Sequence, residues 1–174
     1  MNAPLDRIDS LIEVEYNVFT LASTAGEPGS AERPYENGIV TAATTGDGTA
    51  AVIVTGLVDG DVHVVVERWT AEAPMPDLDD WQDTAEVEIS WPGGPARILG
   101  ADVVPLPELL LAQEVPPGRY LLRVAGRHRD DGEARLPGAP VEEYLLQLWP
   151  SNHAARGSLK ATSRLGALWR QGPP

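Results

Sequence analysis

A proline-glycine corner followed by an alternating run is the feature that most constrains how this chain can fold. Residues 116–118 read Pro-Pro-Gly, and the run after them places Tyr120, Leu122 and Val124 on one face of an extended strand. Basic side chains share the other face: Arg119, Arg123 and Arg127. This pattern predicts a strand at the centre of a sheet, with its apolar face in the core and its basic face in water.

Other runs with strand character occur along most of the chain. Residues 11–20 alternate as one half-buried strand. The polar residues 129–140 can reverse the chain as a long hairpin loop, which predicts that the central strand pairs with an apolar strand at 144–149 in antiparallel fashion. Two hairpins are predicted where apolar runs flank turn residues, namely 50–55 with 62–69 and 85–91 with 96–99. The leucine-rich residues 105–114 fit either a single helical turn or an irregular edge strand.

About eight or nine short strands separated by turns, with at most one short helical turn, indicate an all-β fold. We predict a single-domain antiparallel β-sandwich over residues 1–150. After Trp149 and Pro150 the composition shifts to small and basic residues. Residues 151–174 are therefore predicted to form a basic, irregular C-terminal tail that is docked or partly disordered.

The reactive residue types give no support for catalysis. The chain has no cysteine, which excludes disulfides, thiolate metal sites and cysteine nucleophiles. Its histidines are His63, His128 and His153, and none has a nucleophile or an acidic partner at the spacing of a known catalytic motif. His63 lies within a valine run and is predicted to be a paired strand residue. We expect no enzyme activity, no cofactor and no metal.

Membrane insertion is not expected either. No apolar run approaches the roughly 18 residues needed to cross a bilayer, and the N-terminus lacks the basic and apolar regions of a signal peptide. We predict a cytoplasmic protein.

The charge of the chain is strongly negative and unevenly distributed. The net charge is −13, with −17 on residues 1–118 and +4 on residues 119–174. Such acidity argues against direct nucleic-acid binding, which requires clustered Lys and Arg. It is compatible with a role in solubility alone, or with an acidic face that attracts a protein partner with a basic surface.

The segment 70–83 concentrates this acidity around one aromatic residue. Its candidate partner-binding residues are Asp77, Asp79, Asp80, Trp81 and Asp83. Asp77, Asp79 and Glu88 have the spacing of the first, third and twelfth ligands of a calcium loop, but Trp81 and Gln82 occupy positions that such a loop reserves for a ligand and a glycine. The segment is therefore interpreted as an exposed loop, either simple solvated charge or a docking surface with Trp81 as its anchor.

The five tryptophans raise the alternative of a carbohydrate-binding platform. Trp69, Trp91 and Trp149 end apolar strands, so packing in the interior explains them better. Trp81 and Trp169 are left as the candidates for exposed stacking residues.

The order of these features along the chain resembles that in the competence protein J family. Members of that family are known as inhibitors of a competence-associated DNA-entry nuclease. The likeness covers roughly residues 11–150 and includes a valine hairpin and an acidic loop. Its sequence segments are Val14-Glu15-Tyr16-Asn17-Val18-Phe19-Thr20, Glu36-Asn37-Gly38-Ile39-Val40, Val115-Pro116-Pro117-Gly118-Arg119-Tyr120-Leu121-Leu122 and Tyr144-Leu145-Leu146. The chain is also similar to uncharacterised actinobacterial proteins with the same Pro-Gly-Arg-Tyr corner and Leu-Trp-Pro ending.

The resemblance implies a non-enzymatic, protein-binding sandwich, namely an inhibitor or immunity-like protein. Its acidic face would block a basic partner such as a nuclease or a toxin. The alternative is a sandwich that binds a small ligand or a carbohydrate.

Overall fold

Two β-sheets packed face to face contain most of the described residues. The computed structural model describes residues 2–25, 36–45, 48–101, 107–132 and 141–172. The strands are β1 (Asp6–Val14), β2 (Val18–Ser23), β3 (Val40–Thr45), β4 (Gly48–Val54), β5 (Gly60–Arg68), β6 (Asp83–Trp91), β7 (Pro95–Leu99), β8 (Leu110–Glu114), β9 (Gly118–Arg127), β10 (Glu143–Pro150) and β11 (Gly157–Ala161). One α-helix, α1 (Arg164–Arg170), follows β11.

The two sheets confirm the predicted all-β sandwich. The six-stranded sheet has the order β1-β5-β10-β9-β6-β11, and the five-stranded sheet has the order β3-β4-β2-β7-β8. Neighbouring strands are antiparallel except β5 and β10, which are parallel. The core lies between the sheets and contains the predicted inward face of β9: Tyr120, Leu122 and Val124. The predicted antiparallel pairing of the central strand β9 with β10 is also confirmed.

Residues 11–20 form two strands rather than the single strand predicted. Tyr16 and Asn17 have φ angles of 55° and 62°, as in a two-residue turn, and the chain passes there from the six-stranded to the five-stranded sheet. The Asn17 N–H donates to the Val58 carbonyl at 3.0 Å, and the Thr55 N–H donates to the Asn17 carbonyl at 2.7 Å. Long-range hydrogen bonds therefore stabilise a turn that the alternating sequence pattern did not predict.

Both predicted hairpins are wrong. β4 pairs with β2 and β3, whereas β5 pairs with β1 and β10 in the other sheet. In the same way, β6 lies in the six-stranded sheet and β7 in the five-stranded sheet. Turn residues predict that the chain reverses, but they do not determine whether the two strands pair edge to edge or stack in facing sheets.

Residues 107–114 contain both of the elements left open by the sequence. A single 3₁₀ turn, Pro107–Leu109, leads directly into the edge strand β8.

No helix among the described residues has the length and apolar character needed to cross a membrane.

The C-terminal tail is not irregular over residues 157–170, contrary to the prediction. β11 pairs with the outer edge of β6, and Ser163 caps α1 by accepting a hydrogen bond from Gly166 N at 2.8 Å. The cause is the buried Asp83 carboxylate, whose Oδ1 accepts hydrogen bonds from the backbone N–H groups of Thr162 (2.9 Å) and Ser163 (3.1 Å). The tail therefore continues the six-stranded sheet.

A buried guanidinium completes this anchor. The side chains of Arg129 and Asp83 are both fully buried and form an ion pair. Arg129 also donates to the carbonyls of Gly38 (2.9 Å) and Val54 (3.1 Å), which belong to the segment before β3 and to β4. One ion pair thus connects both sheets and the tail.

We expect Asp83→Asn to destabilise the protein by about 3–5 kcal/mol, because it leaves Arg129 buried without a compensating charge. Urea unfolding measures this difference. Asp79→Asn is the matched control, since Asp79 is exposed and its substitution should change stability by no more than about 0.5 kcal/mol. Equal stability of the two variants would contradict a structural role for the pair.

Candidate functional site

The outer face of the six-stranded sheet carries a row of polar side chains in register across its strands. Arg7 lies opposite Glu67, Glu67 opposite Gln147, Gln147 opposite Arg123, and Arg123 opposite Glu86. Arg156, next to Gly157 of β11, extends the row because Gly157 lies opposite Glu86. We call these six residues the polar row.

Hydrogen bonds join five members of the polar row into a chain, and Arg7 Nε lies 3.9 Å from Glu67 Oε1 at its end. Gln147 donates to Glu67 at 3.1 Å and accepts from Arg123 at 3.0 Å, so its amide joins an anion to a cation. Arg123 Nε donates to Glu86 Oε1 at 3.1 Å. Arg156 Nε donates to Glu86 Oε2 at 3.0 Å, and Arg156 Nη2 donates to Oε1 at 2.8 Å.

The centre of the polar row is buried, which corrects the prediction of a wet basic face on β9 at Arg123. The side chains of Arg123 and Glu86 are 1% and 0% exposed. Arg123 also lies over the ring of Trp149, 4.8 Å from its centroid. The alternation of β9 correctly separated the two faces, but it could not show that the second face is covered at Arg123 while Arg119 and Arg127 are partly exposed.

The cover is the acidic segment itself. Residues 69–82, here the crossover segment, connect β5 to β6 and pass over β10 and β9, which lie between them in the sheet. Arg123 Nη1 donates to the carbonyls of Ala73 and Pro74, both at 3.2 Å, and Lys160 Nζ donates to the Leu78 carbonyl at 2.6 Å. The basic strand face and the acidic loop, separate features of the sequence, are therefore in contact.

The crossover segment holds most of the predicted partner-binding residues close together. Asp77, Asp79 and Asp80 are exposed around a short 3₁₀ turn, Leu78–Asp80, and Asp77 Oδ1 accepts a hydrogen bond from Asp79 N at 3.1 Å. Trp81 is half-buried, with the Arg127 guanidinium 5.0 Å from its ring centroid. Three carboxylates and one aromatic edge thus share one surface.

Asp83 is the exception among the predicted site residues. Its carboxylate is buried in the anchor of the tail, where Arg129, Thr162 and Ser163 occupy its oxygens. It cannot contact a partner, and the reason is its position as the first residue of β6 rather than in the loop.

Glu88, the last residue of the calcium-like spacing, pairs with Arg119 at 2.5 Å. Among the described residues, no group of three or more His, Asp or Glu could hold a metal ion.

A second polar chain leads from the edge of the sheet to Trp81. His63 Nε2 lies 2.6 Å from Asp9 Oδ1, and His63 Nδ1 lies 3.4 Å from Glu143 Oε1. Glu143 pairs with Arg127, which covers Trp81. His63 is therefore a paired strand histidine, as predicted. Its hydrogen bond lowers the pKa of Asp9 below 3.8.

The tryptophans that end strands are interior residues, as predicted. Trp69, Trp91 and Trp149 are 6%, 2% and 2% exposed, which removes them from any sugar-stacking platform. Trp81 and Trp169 are half-buried.

The sequence did not predict a cavity of about 720 Å³ on the same outer face, beside the polar row. It lies between residues 70–72 of the crossover segment and residues 150–156 after β10. Its lining includes Glu72, Arg119, Leu121, Trp149, His153 and Arg156. These residues are far apart in the chain, so no local pattern could have indicated that they meet.

The polar row should make stability depend on pH. Burial alone would raise the pKa of Glu86, but hydrogen bonds from Arg156 and the charges of Arg123 and Arg156 outweigh burial and lower the pKa below 4.5. A carboxyl group with a lowered pKa stabilises the fold above its unfolded pKa, and this stabilisation is lost as pH falls through the folded pKa.

We expect Glu86→Gln to lose about 3–5 kcal/mol at pH 7, because Arg123 then lacks its buried counter-charge. The difference in free energy of unfolding between this variant and the wild type should narrow as the pH falls through the lowered pKa of Glu86, because Glu86 then becomes protonated in the wild type as well. Urea unfolding across this pH range measures it. Glu88→Gln, an exposed neighbour on β6, is the control, and a gap for Glu86→Gln that stays constant with pH would contradict the assignment.

Comparisons with known proteins give matches in structure. No family model matches the chain, and no curated protein matches it in sequence. The protein "Crocagin biosynthetic gene J" has a TM-score of 0.54 and 16% identity, covering 84% of this chain and 97% of its own.

A second structural relative is ComJ from Bacillus subtilis, described as the inhibitor of the DNA degrading activity of NucA. It has a TM-score of 0.53 and 12% identity, covering 87% of this chain and 99% of its own. At such identity the likeness concerns the fold, and it confirms the resemblance to the competence protein J family that the order of sequence features predicted.

Proposed function

We propose that this protein is a non-catalytic, protein-binding sandwich that inhibits a basic partner, such as a nuclease, with the carboxylates of its crossover segment. One observation carries the proposal: Asp77, Asp79 and Asp80 are exposed together on a segment that the rest of the molecule holds in place.

The support comes first from preorganisation. The crossover segment is held by Arg123, by Lys160 and by the contact of Arg127 with Trp81. A surface that is ordered before binding loses less conformational entropy in the complex, so its charges contribute more to affinity. Trp81 adds a half-buried aromatic edge to the charged surface, and interfaces favour this combination.

Electrostatics supports the same partner class. A nuclease must attract a polyanion, so its substrate cleft is cationic and complements a protein of net charge −13. The inhibitory role described for ComJ agrees with this interpretation and with a non-enzymatic protein. Because a shared fold does not establish a shared function, inhibition has to be tested directly.

DNA degradation by the nucleases of the source organism, measured with and without the purified protein, tests the proposal. We expect one nuclease to be inhibited at a stoichiometric ratio. Failure to inhibit or bind any of them would contradict the proposal.

For the inhibited nuclease, we expect the triple variant Asp77→Asn, Asp79→Asn, Asp80→Asn to associate at least about tenfold more slowly at low salt. The salt dependence of association should flatten as well, because fewer charges steer the encounter. Stopped-flow or surface-based kinetics measure both quantities. Asn at position 77 can still cap the 3₁₀ turn, so the segment should keep its shape.

The matched control removes the same amount of charge elsewhere. The control variant carries Glu13→Gln, Glu15→Gln and Asp61→Asn. These exposed carboxylates lie where β1 ends and β5 begins, whereas the crossover segment follows the end of β5. If both triple variants slow association equally, net charge alone acts and the crossover segment is not the binding surface.

A further inference from the structure

One side chain of the C-terminal tail holds the acidic turn, residues 77–80, which carries the three exposed carboxylates of the proposed binding surface. Within the described part of the chain, a single hydrogen bond joins this turn to another segment: Lys160 Nζ donates to the Leu78 carbonyl at 2.6 Å. The other hydrogen bonds of the turn join residues 77–81 to one another. The conformation of the turn relative to the sheet therefore depends on Lys160.

The tail follows the crossover segment in the same direction and contacts it at three successive points. These contacts are Arg156 with Glu72, Lys160 with Leu78, and Thr162 with Gln82. The first and last contacts lie on either side of the acidic turn, and the middle contact lies on the turn itself. If the tail leaves the sheet, all three contacts are lost together.

Polar contacts, rather than apolar packing, hold the tail in place. None of its leucine and tryptophan side chains is buried, and Ser163 and Gly166 are the only buried residues within the described part of the tail, 151–172. The carboxylates of Asp83 and Asp130 hold it by accepting hydrogen bonds from its backbone N–H groups. Segments with few buried apolar contacts open at lower free energies than the core. We therefore expect the tail to detach while the core strands stay folded.

We propose that the tail controls the partner-binding surface, and that Lys160 is the positioning residue through which it does so. With the tail docked, Lys160 holds the acidic turn in one conformation. With the tail detached, the turn loses this hydrogen bond, and the mutual repulsion of its carboxylates favours other conformations. A partner must then order the turn as it binds, which weakens binding. The inference rests on the proposed function, because it concerns the same surface.

The substitution Lys160→Met tests the contact without any partner. It removes the ammonium donor and keeps an unbranched side chain of similar length. We expect amide hydrogen exchange at Asp80 and Trp81, measured by NMR on the ¹⁵N-labelled protein, to become at least about fivefold faster than in the wild type, because the turn loses its hydrogen bond to the tail. Unchanged exchange at both amides would overturn the proposal.

Arg164→Met is the matched control, because it removes the same charge from the same tail. The Arg164 side chain is 85% exposed and lies 3.9 Å from Asp130, away from the acidic turn. Exchange at Asp80 and Trp81 should stay at the wild-type rate in this variant. Equal acceleration by both substitutions would show a general charge effect and overturn the role of Lys160. Slow exchange at Val124, in the core of β9, verifies that both variants are folded.

Ser163→Ala tests whether the tail itself controls the turn. Ser163 caps α1 and makes no hydrogen bond to the acidic turn, so its loss loosens the tail from a distance. Exchange at Thr162, whose N–H donates to Asp83, should become at least about threefold faster, and exchange at Asp80 and Trp81 should rise with it. Acceleration at Thr162 alone, or at none of these amides, would overturn control by the tail.

Binding kinetics with the inhibited nuclease complete the test. Lys160→Met and Arg164→Met should associate at equal rates, because they lose the same charge, but only Lys160→Met should dissociate faster than the wild type, by at least about threefold. Equal dissociation rates would overturn the proposal. Inhibition with unchanged exchange in Lys160→Met would reject this inference alone. Faster exchange in Lys160→Met without any inhibited nuclease would instead reject the proposed function and leave the contact between tail and turn established.

Discussion

The burial of Arg123 at the centre of the six-stranded sheet is the constraint on which the outer face depends. A guanidinium removed from water must have its donors paired, or the fold loses several kcal/mol. The structure meets this requirement with Glu86 and Gln147 in the sheet and with two backbone carbonyls of the crossover segment. Pairing with main-chain carbonyls ties the path of the crossover segment to one side chain of β9.

Several features of the molecule follow from that arrangement. The crossover segment presents Asp77, Asp79 and Asp80 to solvent beyond the point where Arg123 binds it. The same segment contributes Glu72 to the cavity, where Glu72 pairs with Arg156 of the polar row. The acidic surface and the cavity therefore lie on one connected structure, and the buried charges that stabilise the sheet also position both.

The relation to ComJ and to Crocagin biosynthetic gene J is one of architecture. Nearly the full length of each relative aligns with this chain, yet few residues are identical. A sandwich needs only alternating apolar residues and suitable turns, so many sequences satisfy it. Function depends on what the connections carry, and here the distinctive connection is the acidic crossover segment.

The sequence by itself determined the strand content, the apolar face of β9, the pairing of β9 with β10 and the interior positions of three tryptophans, because these depend on local alternation. It also located the exposed carboxylates of the acidic segment. Only the tertiary structure decided the rest. Tyr16 and Asn17 turn the chain between sheets, Asp83 is buried against Arg129, Arg123 on the basic face of β9 is covered, and distant segments enclose the cavity. Each of these depends on pairing between residues far apart in the chain, which no local pattern of side chains encodes.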